Sequence, residues 1–126
     1  MKSNVAVTNY VWGSGGDDAC ILDFAVLKKG LLGGMKPDRR FAGWALTFFI
    51  QEDNQIDIDT ISLIDGNFQT VQDGHFSLRA SDYALVNAVL FAGVDTLKNS
   101  GEEQKANMVS QARTRFFKKY IVKKTD

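Results

Sequence analysis

Residues 42–64, AGWALTFFIQEDNQIDIDTISLI, decide the fold. The polar run Glu52-Asp53-Asn54-Gln55 divides them into two apolar segments. Residues 42–51 are apolar at both parities: Trp44, Leu46, Phe48 and Ile50 on one, Ala45, Thr47 and Phe49 on the other. A strand of that kind is expected at the centre of a sheet, covered on both sides. Residues 56–64 begin with clean alternation, Ile56 and Ile58 against Asp57 and Asp59. Ile61 and Leu63 then fall on the parity that the aspartates held, which predicts a β-bulge near Thr60. Two strands joined by a short polar turn form an antiparallel pair.

The same reading extends outward. Residues 4–12 (NVAVTNYVW) and 19–27 (ACILDFAVL) are strands separated by the glycine-rich stretch 13–18, so they predict a hairpin. Cys20, Leu22, Phe24 and Val26 form its core face at period two. Residues 28–41 (KKGLLGGMKPDRRF) hold three glycines and the only proline, and read as a flexible basic loop. Leu31, Leu32 and Met35 within it are expected to cover the molecule's own core. Beyond Asp65-Gly66-Asn67, a turn signal, short strands are expected at 68–71 and 75–79.

Helical periodicity begins at Ser81. Residues 82–98 are apolar nearly all round, which predicts a largely buried helix with Leu85, Val89 and Phe91 in the core. Asn99-Ser100-Gly101 ends it, and Ser100 with Glu103 has capping-box spacing for a second helix over 102–121. Its apolar line is Ala106, Val109, Ala112, Phe116 and Tyr120, and residues 121–126 are expected to fray as a basic C-terminus. The fold class is therefore α+β: an antiparallel β-meander of five or six strands followed by two C-terminal helices packed on one face of the sheet. Residues 1–126 form a single domain.

Composition agrees. The chain has 126 residues, 44% of them hydrophobic, enough for one core without staples. A single cysteine permits no internal disulfide. No apolar stretch follows Lys2-Ser3-Asn4 as in a signal peptide, and no run has the length of a membrane span. A soluble protein of the cytoplasm is the expectation.

No stretch carries a catalytic signature. His75 and Cys20 are single, Cys20 sits on an apolar strand face, and Gly-x-Ser-x-Gly is absent. Asp57, Asp59, Asp65 and Asp73 are hard oxygen donors that suit a divalent cation, but EF-hand spacing is missing. The GxxG at Gly30–Gly33 lies between strands, whereas a KH loop lies between helices. RTRFFKKYIVKK, residues 113–124, interleaves cations with aromatics as single-strand binders do, yet Phe116 and Tyr120 lie on the helix's apolar line.

Charge distribution carries the functional reading. Net charge is zero, but no Lys or Arg occurs between Arg40 and Arg79, while six acids do. Eleven of fifteen cations lie in two stretches, 28–40 and 113–124, and such segregation speaks of partners rather than of fold. The expectation is a non-catalytic binding or assembly domain. It engages an anionic partner or itself through Lys28, Lys29, Lys36, Arg39 and Arg40 of the loop and Arg113, Arg115, Lys118 and Lys119 of the last helix. A protein partner or self-association leads, and no catalytic residue, metal or cofactor is expected. The alternatives are a single-stranded nucleic-acid-binding protein and a divalent-metal-dependent enzyme using the aspartates.

Overall fold

The computed structural model describes residues 4–13, 18–67, 69 and 80–122. Five strands come first: β1 (Val5–Trp12), β2 (Ala19–Lys29), β3 (Met35–Pro37), β4 (Ala45–Ile50) and β5 (Ile56–Ile64). Two helices follow, α1 (Ala80–Asn99) and α2 (Glu103–Phe116), and the chain continues from α2 into a π-helical turn, Phe117–Val122. The strand order is β1-β2-β4-β5, every pairing antiparallel, with β3 also paired to β2. This is the α+β layout expected from the sequence. The strands expected at 68–71 and 75–79 lie outside the described residues, as do His75, Asp73 and residues 123–126.

Both helices cover one face of the sheet, α1 against β1 and β2, α2 against β5. Cys20, Leu22, Phe24 and Val26 of β2 are buried beneath them, as their alternation predicted, with Leu46 and Phe48 of β4 beside them. Ile56, Ile61 and Leu63 of β5 are buried too. For all three to face inward the strand must change phase. Thr47 pairs with Ser62 and Phe49 with Asp57, so β5 carries three extra residues where β4 carries none. An odd insertion moves the following side chains to the other face, which is the bulge expected near Thr60, wider than the single residue of the commonest kind. The Thr60 hydroxyl holds it, accepting from Phe49 N–H at 3.0 Å and donating to the Asp57 carbonyl at 2.7 Å.

A second bulge lies in β1, where Val7 pairs with Phe24 but Asn9 with Asp23. The extra residue, Thr8, turns the strand so that Val5 and Val7 before it, and Tyr10 and Trp12 after it, all pack on the core.

On the other parity of β4, Ala45 is buried and Thr47 half-buried, but the end of the strand is open. Phe49 is 53% exposed, and Val11 and Ile21 are open on the same side. The expectation of a strand covered on both faces is corrected: the two helices suffice for one face only, and β4 keeps an apolar residue on the open one.

Helix α1 turns Val86, Val89, Leu90 and Leu97 inward, all fully buried. Leu85 is half-buried, but Phe91, expected in the core, is 48% exposed on the flank with the Arg113 guanidinium 5.4 Å from its ring. A helix has an inward arc of limited width, and five apolar positions already fill this one. Gly93 sits where α1 meets the sheet most closely: a Cβ there would lie 3.1 Å from Leu22 Cδ1.

The turn between helices is a Schellman motif. Glu102 N–H donates to the Leu97 carbonyl, Gly101 N–H to that of Lys98, and Gly101 takes φ +79°. The capping box expected from Ser100 and Glu103 does not form. Glu102 is the residue before α2, no side chain caps it, and the Ser100 hydroxyl donates back to the Thr96 carbonyl. Ser100 is still part of the first helix's ending, too early to begin the second.

Candidate interaction surface

The stretch 28–41 was expected as a flexible loop, and the structure corrects this. β2 runs on to Lys29, the chain turns at Gly30–Gly34, and β3 returns with Leu27 opposite Pro37, Lys28 opposite Lys36 and Lys29 opposite Met35. Gly30 N–H donates to the Gly34 carbonyl and Gly33 N–H to that of Gly30, with Gly33 at φ +88°. The glycines that suggested a loop are what a tight hairpin turn demands. Proline closes the short edge strand, where no ladder donor is needed.

At the tip, Leu31 and Leu32 are 102% and 101% exposed, and Met35 is exposed behind them. They do not cover the core, because the hairpin carries them past the end of β4, which starts opposite Asp23. Lys28, Lys29 and Lys36 stand on the stem behind them and Arg39 just beyond its base, all exposed and none in an ion pair with another described residue. Lys28 faces Lys36 directly across the ladder, an arrangement of like charges that works against the hairpin.

Arg40 differs. Its Nη2 lies 2.8 Å from Asp38 Oδ2 and its backbone N–H caps onto the same carboxylate, fixing the one-turn 3₁₀ helix Arg39–Phe41. The bond from Arg40 holds the Asp38 carboxyl down at about 2. Arg40's charge is thus matched inside the chain. It stands at the mouth of a cleft of about 470 Å³ at the hairpin's base, walled by Val5, Phe41, Trp44 and Leu85. Phe41 and Trp44 meet edge to face there, at 4.9 Å.

The C-terminal cations occupy other elements and are largely engaged by the chain itself. Arg113 donates to Asn87 Oδ1 at 3.3 Å and Arg115 to the Ile56 carbonyl at 3.0 Å. Lys119 Nζ lies 2.8 Å from Asp59 Oδ1, and the Tyr120 hydroxyl donates to the same oxygen. Lys118 is exposed without an ion pair to a described residue. Phe116 is buried, and Tyr120 stacks on Tyr83 with centroids 5.6 Å apart, so two of the three aromatics of the interleaved stretch belong to the packing of α2, while Phe117 is exposed.

The single helix expected over 102–121 is accordingly two segments, α2 and the π turn. Adjacent side chains on an α-helix point about 100° apart, and a wider turn narrows that angle. This lets Lys119 and Tyr120 reach one carboxylate.

These contacts set a pH dependence. Burial first, then the bond to Asp59, pushes the Tyr120 phenol up to about 12. A raised folded pKa means that this contribution is fully present below the ordinary value of 10.0 and is lost as pH rises through about 12. Asp59 is shifted down, by Lys119 first and Tyr120 second, so its contribution is present above 3.8 and fades as pH falls toward the lower folded value. Ultraviolet titration of tyrosinate should show one phenol ionising near pH 12, absent in Tyr120→Phe and shifted down in Asp59→Asn. A titration curve unchanged by Asp59→Asn, or a phenol lost in Tyr120→Phe that titrates near the ordinary value of 10.0, would disprove the network.

The three described aspartates singled out as hard donors are likewise in use. Asp59 holds Lys119 and Tyr120, Asp57 Oδ1 accepts from Asp59 N–H, and Asp65 Oδ1 accepts from Asn67 and Gln69 N–H in the turn after β5. No three His, Cys, Asp or Glu side chains among the described residues gather as metal ligands would. Cys20 is fully buried, and burial pushes its thiol up, away from the reactive thiolate. No helix among the described residues is long and apolar enough to cross a membrane.

The structure thus brings Lys28, Lys29 and Lys36 together on one hairpin, sets Arg39 in the 3₁₀ turn that follows it, and leaves Arg113 and Arg115 on α2 and Lys118 and Lys119 on the π turn. The leucine tip was visible in the sequence only as residues; its exposure was not. Comparison with known proteins adds nothing to this geometry: no protein-family model, curated protein or solved structure matches the chain.

Proposed function

We propose that this chain is a non-catalytic binding domain that engages an anionic partner through the β2–β3 hairpin. One observation supports this above the rest: two fully exposed leucines are held on a hydrogen-bonded stem whose three cations, in no ion pair among the described residues, include a directly opposed lysine pair. Neither feature helps the fold. Exposed leucines add nothing to the core, and opposed like charges destabilise a ladder. Residues that oppose stability are characteristic of sites kept for function. The helix cations support the reading less, because Arg113, Arg115 and Lys119 already have partners within the chain. The nucleic-acid alternative would draw on the same hairpin, yet its exposed apolar side chains are aliphatic and offer no ring for a base to stack on.

The test compares the parent with Lys28→Gln/Lys36→Gln, using Lys118→Gln as control. Binding to polyglutamate and to a single-stranded oligonucleotide would be followed through a salt series. The hairpin variant should lose the salt-dependent binding, while remaining as stable as the parent or gaining a few tenths of a kcal/mol. Equal binding by parent and hairpin variant, or a loss confined to Lys118→Gln, would refute the proposal.

A further inference from the structure

The hairpin stands at one end of the sheet, and the opposite end differs in every respect. The end of β1, the start of β2, the β4–β5 turn and the first turns of α2 meet there. They enclose a cleft of about 310 Å³ with Trp12, Ile50 and Met108 as apolar lining and Asp18, Asn54, Gln104 and Lys105 at its polar side. Ile50 N–H donates to the Asp18 carbonyl and ties the end of β4 to the residue before β2. The exposed carboxylates around this end are Asp18, Glu52, Asp53 and Glu103. None forms an ion pair with a described residue, and Lys105, the nearest lysine, is matched by Glu102 at 2.9 Å. Lys98, at the end of α1, is the other cation there.

The chain therefore has zero net charge but two unlike poles. One is a convex leucine tip on a cationic stem; the other is a concave cleft of mixed polar and apolar lining, with Asp18 in its wall and Glu52, Asp53 and Glu103 exposed on the neighbouring turns. We infer that the hairpin of one copy docks into the opposite-pole cleft of a second copy, joining molecules head to tail. The inference rests on the binding role proposed for the hairpin and names its partner. It draws on charge complementarity and on shape, both present on the same chain.

The contact cannot form within one molecule. Tip and cleft lie at the two ends of β2, whose 11 residues span about 33 Å. Opposed poles also orient approaching copies, and end-to-end alignment gains more than antiparallel side-by-side approach at equal separation. A polyanion or an anionic bilayer would use the cationic stem but leave the opposite, acidic pole without a role. A tip that meets a different surface makes a heterologous contact, which continues as a ring or an open chain.

Two variants separate the halves of the contact. Leu31→Ser/Leu32→Ser removes the tip and keeps the cleft. Asp18→Lys/Glu52→Lys reverses the acidic pole and keeps the tip; Asp53 is spared because its carboxylate accepts from Gln55 N–H within the turn. All four positions are exposed, and circular dichroism would verify the fold of each variant. Sedimentation velocity of the parent should show mass rising with concentration and falling with added salt. Each variant alone should remain monomeric, the tip variant associating about a hundredfold more weakly or worse. Mixed together they should form a one-to-one dimer that grows no further, because one intact tip meets one intact cleft.

A parent that stays monomeric at low salt would overturn the inference. So would a tip variant that assembles like the parent, or a mixture that does not pair. If the parent is monomeric yet its hairpin still binds polyglutamate, the head-to-tail contact fails and the binding role stands. If neither self-association nor polyanion binding depends on the hairpin, both fall.

Discussion

Phe48→Ala should lower the unfolding free energy by about 3–5 kcal/mol, the usual result of emptying a large buried aromatic site. Phe48 is 1% exposed at the centre of β4, opposite Cys20, with Trp12 packed edge to face against it at 5.8 Å. The surrounding strands are tied by ladder hydrogen bonds and both helices lie above, so little can collapse into the space. Its neighbour supplies the control. Phe49→Ala removes the same ring from the open face and should shift stability by less than about 1 kcal/mol. Urea titrations with unchanged slope would read both values. Equal losses would mean that the second face of β4 is covered after all, and a small loss at Phe48 would mean that the core lies elsewhere.

Gly66→Ala should cost about 1–3 kcal/mol, large for one added methyl group. A Cβ built at Gly66 would lie 2.4 Å from the Ala42 carbonyl oxygen, a backbone atom that cannot swing away. Gly43 closes the same contact from the other side, at φ +78°, and a Cβ built there would lie 3.1 Å from Gly66 Cα. The two glycines let the exit of β5 lie against the entry to β4. Gly34→Ala is the comparison, because it meets open space and has no positive φ. That substitution should be neutral or raise stability by a few tenths of a kcal/mol through the unfolded chain. Thermal denaturation of the two variants side by side decides the matter; similar midpoints would show that the close approach is not a constraint.

Much of the fold was legible because its signals are local. The period-two pattern of Cys20, Leu22, Phe24 and Val26 named the buried face of β2, and each of the four is buried. The phase change between Ile58 and Ile61 located a bulge, since only an inserted residue lets both ends of that strand face the core. The turn before α2 was legible from Gly101. The second bulge was equally present, in Val5 and Val7 followed by Tyr10 and Trp12, but its hydrophobic phase change went unread.

The candidate site was less legible. Lys28, Lys29, Lys36 and Arg39 were identified by charge alone, but glycine and proline, which signal loops, serve equally in a tight hairpin. Choosing between them depends on whether Leu27–Lys29 finds a partner strand, and that is a tertiary matter. The same limit applies to the helix cations. Their charge was plain, and so was the acidic run containing Asp59, but no sequence spacing tells that residues 59 and 119 meet.

By itself, then, the sequence determined the layout: which segments are strands, which are helices, and which side of each is apolar. Periodicity decides this, because a 2.0 or 3.6 repeat is written into neighbouring residues. Tertiary structure alone decided which charges are satisfied and which apolar side chains are left in solvent. It paired Lys119 with Asp59 and left Lys28 opposite Lys36, and it raised Leu31 and Leu32 clear of the core. Exposure and ion pairing are properties of distances between segments far apart in the chain, and those distances exist only once the sheet has closed and the helices have settled on one of its faces.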